Sequence, residues 1–303
     1  MYSERRFVYM KKMRLPLLIA LGVALIGVLF GSFFDLQISQ AIANPKNGFA
    51  LFISAIMPTV GFAIVAAMGG GFIALIIKGK YHIALKVLFG VLSAACFGVS
   101  IFYPGGEYFG INGFYGSAPE WVGYLIVIIP EAAAAFGGYH LFKDCKNENI
   151  WIVMCAVIVM LLLALLATIP TIKDSMHRPR YRALIAYEGI SFHNWWEPFK
   201  GYNVVKDSYP HDNFKSFPSG HTAETSIVLI GAVFLPLIDE KYEKQQLTLF
   251  IAGCCFILLI ALARIMAAAH FLSDVSWGAT ILIGWLTITN EIIAHVKPLH
   301  LAE

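Results

Sequence analysis

Long apolar runs with few charges dominate the sequence. Five runs contain no Asp, Glu, Lys or Arg at all, and three others contain one or two. Because crossing the hydrocarbon core of a bilayer takes about 20 apolar helical residues whose backbone groups bond within the helix, each run predicts a membrane helix. The pattern predicts eight such helices, near residues 15–35, 55–77, 82–103, 121–142, 150–172, 220–238, 246–264 and 274–295.

The second and third of these helices have the weakest pattern. Only Lys78-Gly79-Lys80 separates them, and Gly69-Gly70-Gly71 interrupts the apolar run. Six or seven spans are therefore the alternative. In either case the predicted fold class is all-α, a polytopic transmembrane helical bundle with one long interfacial loop on the outer side.

Composition agrees with a membrane protein and disfavours a soluble domain. Hydrophobic residues make up 58% and charged residues 14% of the chain, against about 45–50% and about 25% in soluble proteins. The net charge of 22 − 19 = +3 leaves no basic surface for nucleic acid, so the expected partner is the lipid bilayer. The cysteines match no disulfide or zinc spacing and are expected to be small core residues: Cys96, Cys145, Cys155, Cys254 and Cys255.

The N-terminal run could also belong to a cleaved signal peptide. Its 20 residues exceed the ~7–15 apolar residues of such peptides, so we interpret it as a retained helix, with cleavage after Ala43 as the alternative. If the N-terminus is inside, 13 of the 22 Lys and Arg residues lie on the inner side. This agrees with the excess of Lys and Arg that cytoplasmic loops of membrane proteins carry. We therefore expect a multi-pass protein of the cell membrane with both termini in the cytoplasm.

One long polar stretch, 173–218, follows the fifth predicted helix on the outer side. It gathers charges, prolines and ten aromatic residues, a composition typical of the headgroup level. A connection of this length is more often functional than a simple linker. We divide the chain into N-terminal membrane helices of no assigned role, 1–120, and a core that carries this stretch, 121–303.

Three polar clusters lie at the same predicted face. The first runs from Lys173 to Tyr181, the second is Pro218-Ser219-Gly220-His221, and the third is Arg264-x5-His270-x3-Asp274. Each alone has an ordinary explanation as snorkelling cations, a helix cap or a surface histidine. Together they supply two histidines, a carboxylate, three cations and the free N–H groups of a helix start, which is the chemistry of phosphoryl binding and transfer.

The order Lys-x6-Arg, Pro-Ser-Gly-His and Arg-x5-His-x3-Asp resembles the three-part signature of the type 2 phosphatidic acid phosphatase superfamily. That superfamily also includes bacterial acid phosphatases and vanadium haloperoxidases, and this chain is similar to its membrane-embedded lipid phosphatase branch. The resemblance covers residues 150–295 and implies a six-helix phosphatase core within 121–303, with 173–218 as its outer active-site loop.

The sequence departs from the signature at two places. The family pattern continues Lys-x6-Arg with Pro, whereas Arg180 is followed by Tyr181 and the Arg-Pro pair stands at Arg178-Pro179. We align Arg180 because this alignment keeps the spacing from Lys173, and hold Arg178 as the alternative. The third motif begins with Ala263 in place of Ser, a change that removes no catalytic group.

The resemblance also implies a role for each matching residue. His270 would be the nucleophile that forms a phosphohistidine, and Asp274 would hold its imidazole in the reactive tautomer. His221 would protonate the leaving alkoxide and then activate water. The phosphate oxygens would be bound by Lys173, Arg180, Ser219, Gly220 and Arg264. No metal and no cofactor is expected.

Other polar residues lie outside the signature. Glu224, three residues after His221, is expected on the same helical face, either tuning the pKa of the histidine, contacting substrate or making a structural hydrogen bond. Glu131, next to Pro130, is expected to serve helix packing. His177 and His211 are expected to be ordinary loop residues.

The predicted position of the site at the headgroup level indicates the substrate class. We expect a lipid phosphate or diphosphate monoester of the phosphatidic acid, phosphatidylglycerol phosphate or polyprenyl diphosphate type, and the sequence does not separate these. The alternatives are a lipid phosphotransferase of the same fold, which would yield labelled acceptor, and a non-enzymatic lipid transporter or binding protein, which would work without either histidine.

Overall fold

The computed structural model describes residues 2–110 and 120–295, and every regular element in this part of the chain is helical. Eight helical stretches there are long and apolar enough to cross a membrane, which confirms the predicted all-α polytopic bundle. The α-helices are α1 (Tyr2–Ile42), α2 (Gly48–Lys78), α3 (Ile83–Gly110), α4 (Glu120–Phe142), α5 (Ile150–Leu161), α6 (Ile169–Met176), α7 (Tyr181–Ala186), α8 (Tyr202–Val205), α9 (Gly220–Ser226), α10 (Val228–Phe234), α11 (Gln246–Met266) and α12 (Leu272–His295). Other helical turns join them, a π-helical segment at Leu162–Thr168 and 3-10 turns at His211–Phe214, Leu235–Leu237 and Glu240–Gln245.

Helix α1 is longer than its apolar run. Its 41 residues extend at both ends into polar sequence, where Arg14 forms an ion pair with Glu291 of α12 and Asp35 is buried. A charge-free window detects only the apolar middle of such a helix. The helix continues because its charged turns find partners on other elements.

The glycine triplet does not interrupt α2, which runs unbroken through it. Gly70 lies against the backbone carbonyl of Ala135, and Gly138 of α4 lies against that of Ala67, so closely that a Cβ at either glycine would collide. Small residues allow membrane helices to approach in this way. The glycines therefore form a close α2–α4 contact, and the second and third spans are separate helices.

The fifth and sixth spans are built from shorter pieces. The fifth changes from α5 to a π-helical segment and back to α6, which begins beside Pro170 and ends at Met176, one turn later than predicted. The sixth consists of α9 and α10, joined at Ile227. Lys173 consequently lies on the last helical turn of its span and not in a loop.

Helices from the N-terminal part hold those that carry the signature. α1 lies along α12, and α2 contacts α3, α4, α9 and α11. A shared apolar core joins them, and it includes Phe62 and Phe72 of α2, Ile227 at the α9–α10 junction and Leu282 of α12. The division at residue 120 stays a prediction, and these contacts cross it.

The polar stretch 173–218 has a small core of its own, formed by Ala183, Ile190, Phe199 and Phe214. It is also tied to the membrane helices. The Trp195 indole donates a hydrogen bond to the Ser32 hydroxyl of α1 at 2.9 Å, and its ring centre lies 5.2 Å from that of Trp277 in α12. These contacts fix the loop against the end of the bundle.

Candidate active site

A cavity of about 440 Å³ lies where α6, α9, α11 and the turn before α12 meet. It brings together seven of the ten residues that the sequence predicted for the site or held as possible members. They are Lys173, Arg180, Gly220, His221, Glu224, Arg264 and His270. The other three, Arg178, Ser219 and Asp274, are buried behind the cavity and do not line it.

The cations of the cavity are held by oxygens at its edge. Lys173 donates from Nζ to the carbonyl of Lys215 at 2.9 Å. Arg180 donates to the Asp212 carboxylate and to its backbone carbonyl, each at 2.7 Å. Arg182 pairs with the same carboxylate. Several positive charges thus surround one space, as an anion requires.

Asp212 was not among the predicted site residues, and neither was Arg182. Burial alone would raise the pKa of the Asp212 carboxyl, but Arg180 and Arg182 outweigh burial and lower it. Asp212 is therefore ionised at neutral pH and fixes the direction of the Arg180 guanidinium. The only signal for Arg182 is its position two residues after Arg180.

His270 stands in the turn between α11 and α12. The chain reverses at Ala268, whose φ is +55°, and the amides of Ala269 and His270 both donate to the carbonyl of Arg264. His270 Nδ1 lies 2.6 Å from the carbonyl oxygen of Ser216. Because a carbonyl only accepts, we assign the proton to Nδ1 and the lone pair to Nε2.

The surroundings keep this imidazole neutral. Burial lowers the pKa of His270 well below its ordinary value, and the nearby charges of Arg180 and Arg264 lower it further. A neutral imidazole with a lone pair on Nε2 is the nucleophilic form. Geometry and charge therefore agree on the same protonation state.

The resemblance implied that Asp274 holds the imidazole of His270, but no hydrogen bond joins the two side chains. Asp274 Oδ2 lies 3.8 Å from Nδ1, which is too long for a hydrogen bond. The i, i+4 spacing brings two side chains together only within a helix, and α12 begins after His270. The carboxylate instead accepts from the Ser216 hydroxyl at 2.5 Å and from the Phe271 amide at 2.8 Å.

Arg178 is fully buried and takes no part in the cavity wall. It donates to Asp274 at 2.5 Å and to Asp35 of α1 at 2.8 Å. Of the two arginines considered for phosphate binding, Arg180 is the one placed at the cavity.

Ser219 caps α9, since its hydroxyl accepts from the Thr222 amide at 3.4 Å and from the Thr222 hydroxyl at 3.0 Å. Its own amide donates to the Asp274 carbonyl at 3.0 Å. Gly61 of α2 and Gly278 of α12 approach the backbone of this element so closely that a Cβ on either would collide with it. These contacts position Gly220 and His221 at the cavity.

Glu224 accepts a hydrogen bond at 3.1 Å from the hydroxyl of Tyr103, which lies on α3 and also lines the cavity. No motif in the sequence pointed to Tyr103. Glu131 is buried on α4, away from the cavity, and the His177 ring stacks on Tyr202 at 3.7 Å. Within the part of the chain that the structure describes, no group of three or more His, Cys, Asp or Glu residues is arranged to hold a metal ion.

Fold and site together define a membrane-embedded helical bundle with a cationic cavity that contains two histidines. Residues 150–297 match the family model of the PAP2 superfamily. This match confirms the resemblance to the superfamily that the three motifs indicated. No curated protein and no solved structure matches the chain. Members of the superfamily are generally phosphatases, and the match together with the membrane helices supports a membrane lipid phosphatase in general terms.

Proposed function

We propose that this protein hydrolyses a lipid phosphate or diphosphate monoester through a phosphohistidine on His270. The observation that carries the proposal is that cationic, histidine and apolar side chains line the same cavity. His221, His270 and the cations Lys173, Arg180 and Arg264 line it together with Leu165, Ile169 and Pro170 of the fifth span. A substrate with a phosphate head and an apolar tail would find partners for both parts.

The reaction would proceed in two displacements. In the first, His270 Nε2 attacks phosphorus, the P–N bond forms and the bond to the bridging oxygen breaks. Protonated His221 gives its proton to that oxygen, so a lipid phosphate leaves as the neutral alcohol and a lipid diphosphate leaves as the lipid monophosphate. In the second, a water oxygen attacks phosphorus while its proton returns to His221. The P–N bond breaks, its electron pair goes back to Nε2, and inorganic phosphate leaves.

The cations act on the charge of the transferring group. Negative charge is spread over three oxygens during phosphoryl transfer, and fixed donors around them stabilise it most in a site that excludes water. Lys173, Arg180, Arg264 and the Gly220 amide are the candidate donors. Arg180 is held in place by Asp212 and does not have to reorganise when substrate arrives.

Glu224 and Tyr103 would meet the leaving group. The Glu224 carboxylate is a poor neighbour for phosphate oxygens but a good acceptor for hydroxyl groups. The pair therefore favours leaving groups that carry a free hydroxyl near the phosphate, such as the terminal glycerol of phosphatidylglycerol phosphate; phosphatidic acid and a polyprenyl diphosphate have no such hydroxyl. In this proposal the cavity faces the outer side and both termini are cytoplasmic.

The direct test is phosphate release by the purified protein in detergent micelles from phosphatidic acid, phosphatidylglycerol phosphate and a polyprenyl diphosphate. We expect release from at least one of them and loss of activity in His221→Ala and His270→Ala. His140→Ala, an exposed histidine on α4, is the matched control and should keep the parent rate. Labelled lipid or sugar acceptor in place of free phosphate would identify a phosphotransferase instead.

A lipid transporter would show neither product. If no phosphate and no labelled acceptor forms from any of the three lipids, or if His270→Ala is as active as the parent, the proposed function is wrong.

A further inference from the structure

The membrane helix α1 contributes a buried carboxylate to the region behind the cavity. Asp35 is 2% exposed, and each of its oxygens is engaged. Oδ1 accepts from the Ser273 amide at 2.8 Å, and Oδ2 accepts from Arg178 at 2.8 Å and from the Ser273 hydroxyl. Helix α1 lies outside the region that matches the PAP2 superfamily, so nothing in the three motifs points to this residue.

Arg178 connects Asp35 to the region of the nucleophile. One guanidinium nitrogen donates to Asp35, a second donates to Asp274 and Ser273, and Nε donates to the carbonyl of His193 at 2.8 Å. The guanidinium carbon of Arg178 lies 4.3 Å from the centre of the Phe271 ring. With two carboxylates on opposite nitrogens, the guanidinium is fixed in one orientation.

The connection continues to His270 through Ser216. The Ser216 hydroxyl donates to Asp274, its amide donates to the Arg178 carbonyl at 3.0 Å, and its own carbonyl faces His270 Nδ1. Arg178 and Asp274 thus hold both polar ends of the residue that orients the nucleophile. A shift of Arg178 would therefore move the Ser216 carbonyl that faces His270.

We propose that Asp35 is a positioning residue for the nucleophile, acting through Arg178, Asp274 and Ser216 on His270, an inference that rests on the proposed function. Two carboxylates compete for one guanidinium. Without Asp35, Arg178 pairs with Asp274 alone. The stronger pair would turn the Asp274 carboxylate toward Arg178 and weaken its hydrogen bond with the Ser216 hydroxyl. A buried charge that loses a partner also rearranges its surroundings.

This role differs from simple anchoring of α1. An anchor would stabilise the bundle, and its loss would lower the amount of folded protein without changing the turnover of each folded molecule. A positioning residue changes the rate of attack by His270 while the anion-binding cations stay in place. The two roles therefore separate in kcat and in the affinity for an anion.

The experiment compares Asp35→Asn with the parent in detergent micelles, using radiolabelled phosphatidic acid as substrate and vanadate as the anion probe. We expect kcat to fall by about 10-fold, the size of a lost hydrogen bond to a charged group, while KM and the vanadate inhibition constant stay within about two-fold. Glu291→Gln breaks an ion pair between the same two helices at their opposite ends and should leave kcat unchanged.

A second readout does not depend on turnover. The rate at which diethyl pyrocarbonate modifies His270, followed by mass spectrometry of the peptide, reports the nucleophilicity of the imidazole. We expect this rate to fall in Asp35→Asn and not in Glu291→Gln. If the parent releases no phosphate but the modification rates still differ, the proposed function fails while the positioning role stands.

A double-mutant cycle identifies the route of the effect. In an Asp274→Asn background, Asp35→Asn should lower kcat by a much smaller factor than it does in the parent, because both changes interrupt the same chain of contacts. If Asp35→Asn does not fold, Ser273→Ala, which keeps both charges and removes the shared hydroxyl, should lower kcat in the same direction. Parent-like kcat and modification rates in the folded variant, or losses that are fully additive with Asp274→Asn, would overturn the proposal.

Discussion

His270 and Asp274 are four residues apart and both buried, yet no hydrogen bond joins them, since His270 Nδ1 and Asp274 Oδ2 are 3.8 Å apart. Ser216 lies between them, with its carbonyl on the imidazole and its hydroxyl on the carboxylate. The carboxylate therefore acts on the imidazole through the position of Ser216 and through its charge.

The first prediction separates these two effects of Asp274. Ser216→Ala removes the hydroxyl contact but keeps the carbonyl and both charges, so we expect kcat to fall by about 10-fold. Asp274→Asn removes the charge as well and should lower kcat on the order of 100-fold. Steady-state kinetics with the same lipid phosphate measures both, with Ser208→Ala in the loop as the control. Equal losses in the two variants would mean that the charge of Asp274 contributes nothing.

A second prediction distinguishes the two neighbouring arginines. Arg180 lines the cavity and Arg178 does not, so Arg180→Lys should raise KM and weaken vanadate inhibition by about 10-fold, because the planar bidentate donor is lost. Arg178→Lys disrupts a fully buried pair of ion pairs and should lower the thermal stability, by about 3–5 kcal/mol if one partner is left uncompensated.

Inhibition titrations and thermal unfolding in detergent provide the two readouts. The opposite outcome, weak vanadate binding in Arg178→Lys and an unaffected constant in Arg180→Lys, would return the phosphate-binding role to Arg178.

The third prediction concerns pH. Burial, with Arg180 and Arg264, lowers the pKa of His270 below its ordinary value of 6.5. Because only the neutral imidazole is a nucleophile, modification of His270 by diethyl pyrocarbonate should persist as the pH falls through 6.5 and decline only at more acid pH. Arg264→Gln removes a positive charge, which eases protonation, so the pKa rises and the decline should begin at higher pH. Arg14→Gln, remote from the cavity, should leave the profile unmoved, and a decline above pH 6.5 in the parent would contradict the geometry.

The fourth prediction concerns Glu224 and Tyr103. If Glu224 accepts a hydrogen bond from a free hydroxyl of the leaving group, Glu224→Gln should reduce kcat/KM for phosphatidylglycerol phosphate more than for phosphatidic acid or a polyprenyl diphosphate. Tyr103→Phe, which removes the hydroxyl that bonds to Glu224, should shift the same ratio by less. An equal change for all substrates, with an unchanged pH–rate profile, would leave Glu224 a structural role only.

Much of the fold could be predicted from charge-free runs, because the bilayer penalises unpaired charge and forces each run into a helix. The runs did not give the true ends of α1, whose charged turns are stabilised by partners such as Glu291 far away in sequence. They also misjudged Gly70, since a run of glycines weakens an isolated helix but allows close approach to Ala135 here.

The candidate site was predictable where its residues recur at fixed spacings, as with His221 and His270. It was not predictable where the link is made by tertiary packing. Asp35 is 238 positions from Ser273, and Ser216 contacts His270 through a backbone carbonyl, which any residue type could provide. The resemblance implied that Asp274 holds the His270 imidazole directly, but the two residues are separated by the turn before α12 and do not have helical spacing.

The central claim is that His270 carries the phosphoryl group. Rapid quenching of the parent in alkali with a terminally labelled lipid phosphate, followed by peptide mapping, tests it most directly. We predict an acid-labile, base-stable label on the peptide that contains His270 in the parent, and no label on that peptide in His270→Ala. A turnover-competent parent with no labelled intermediate, or with the label on another residue, would contradict the account.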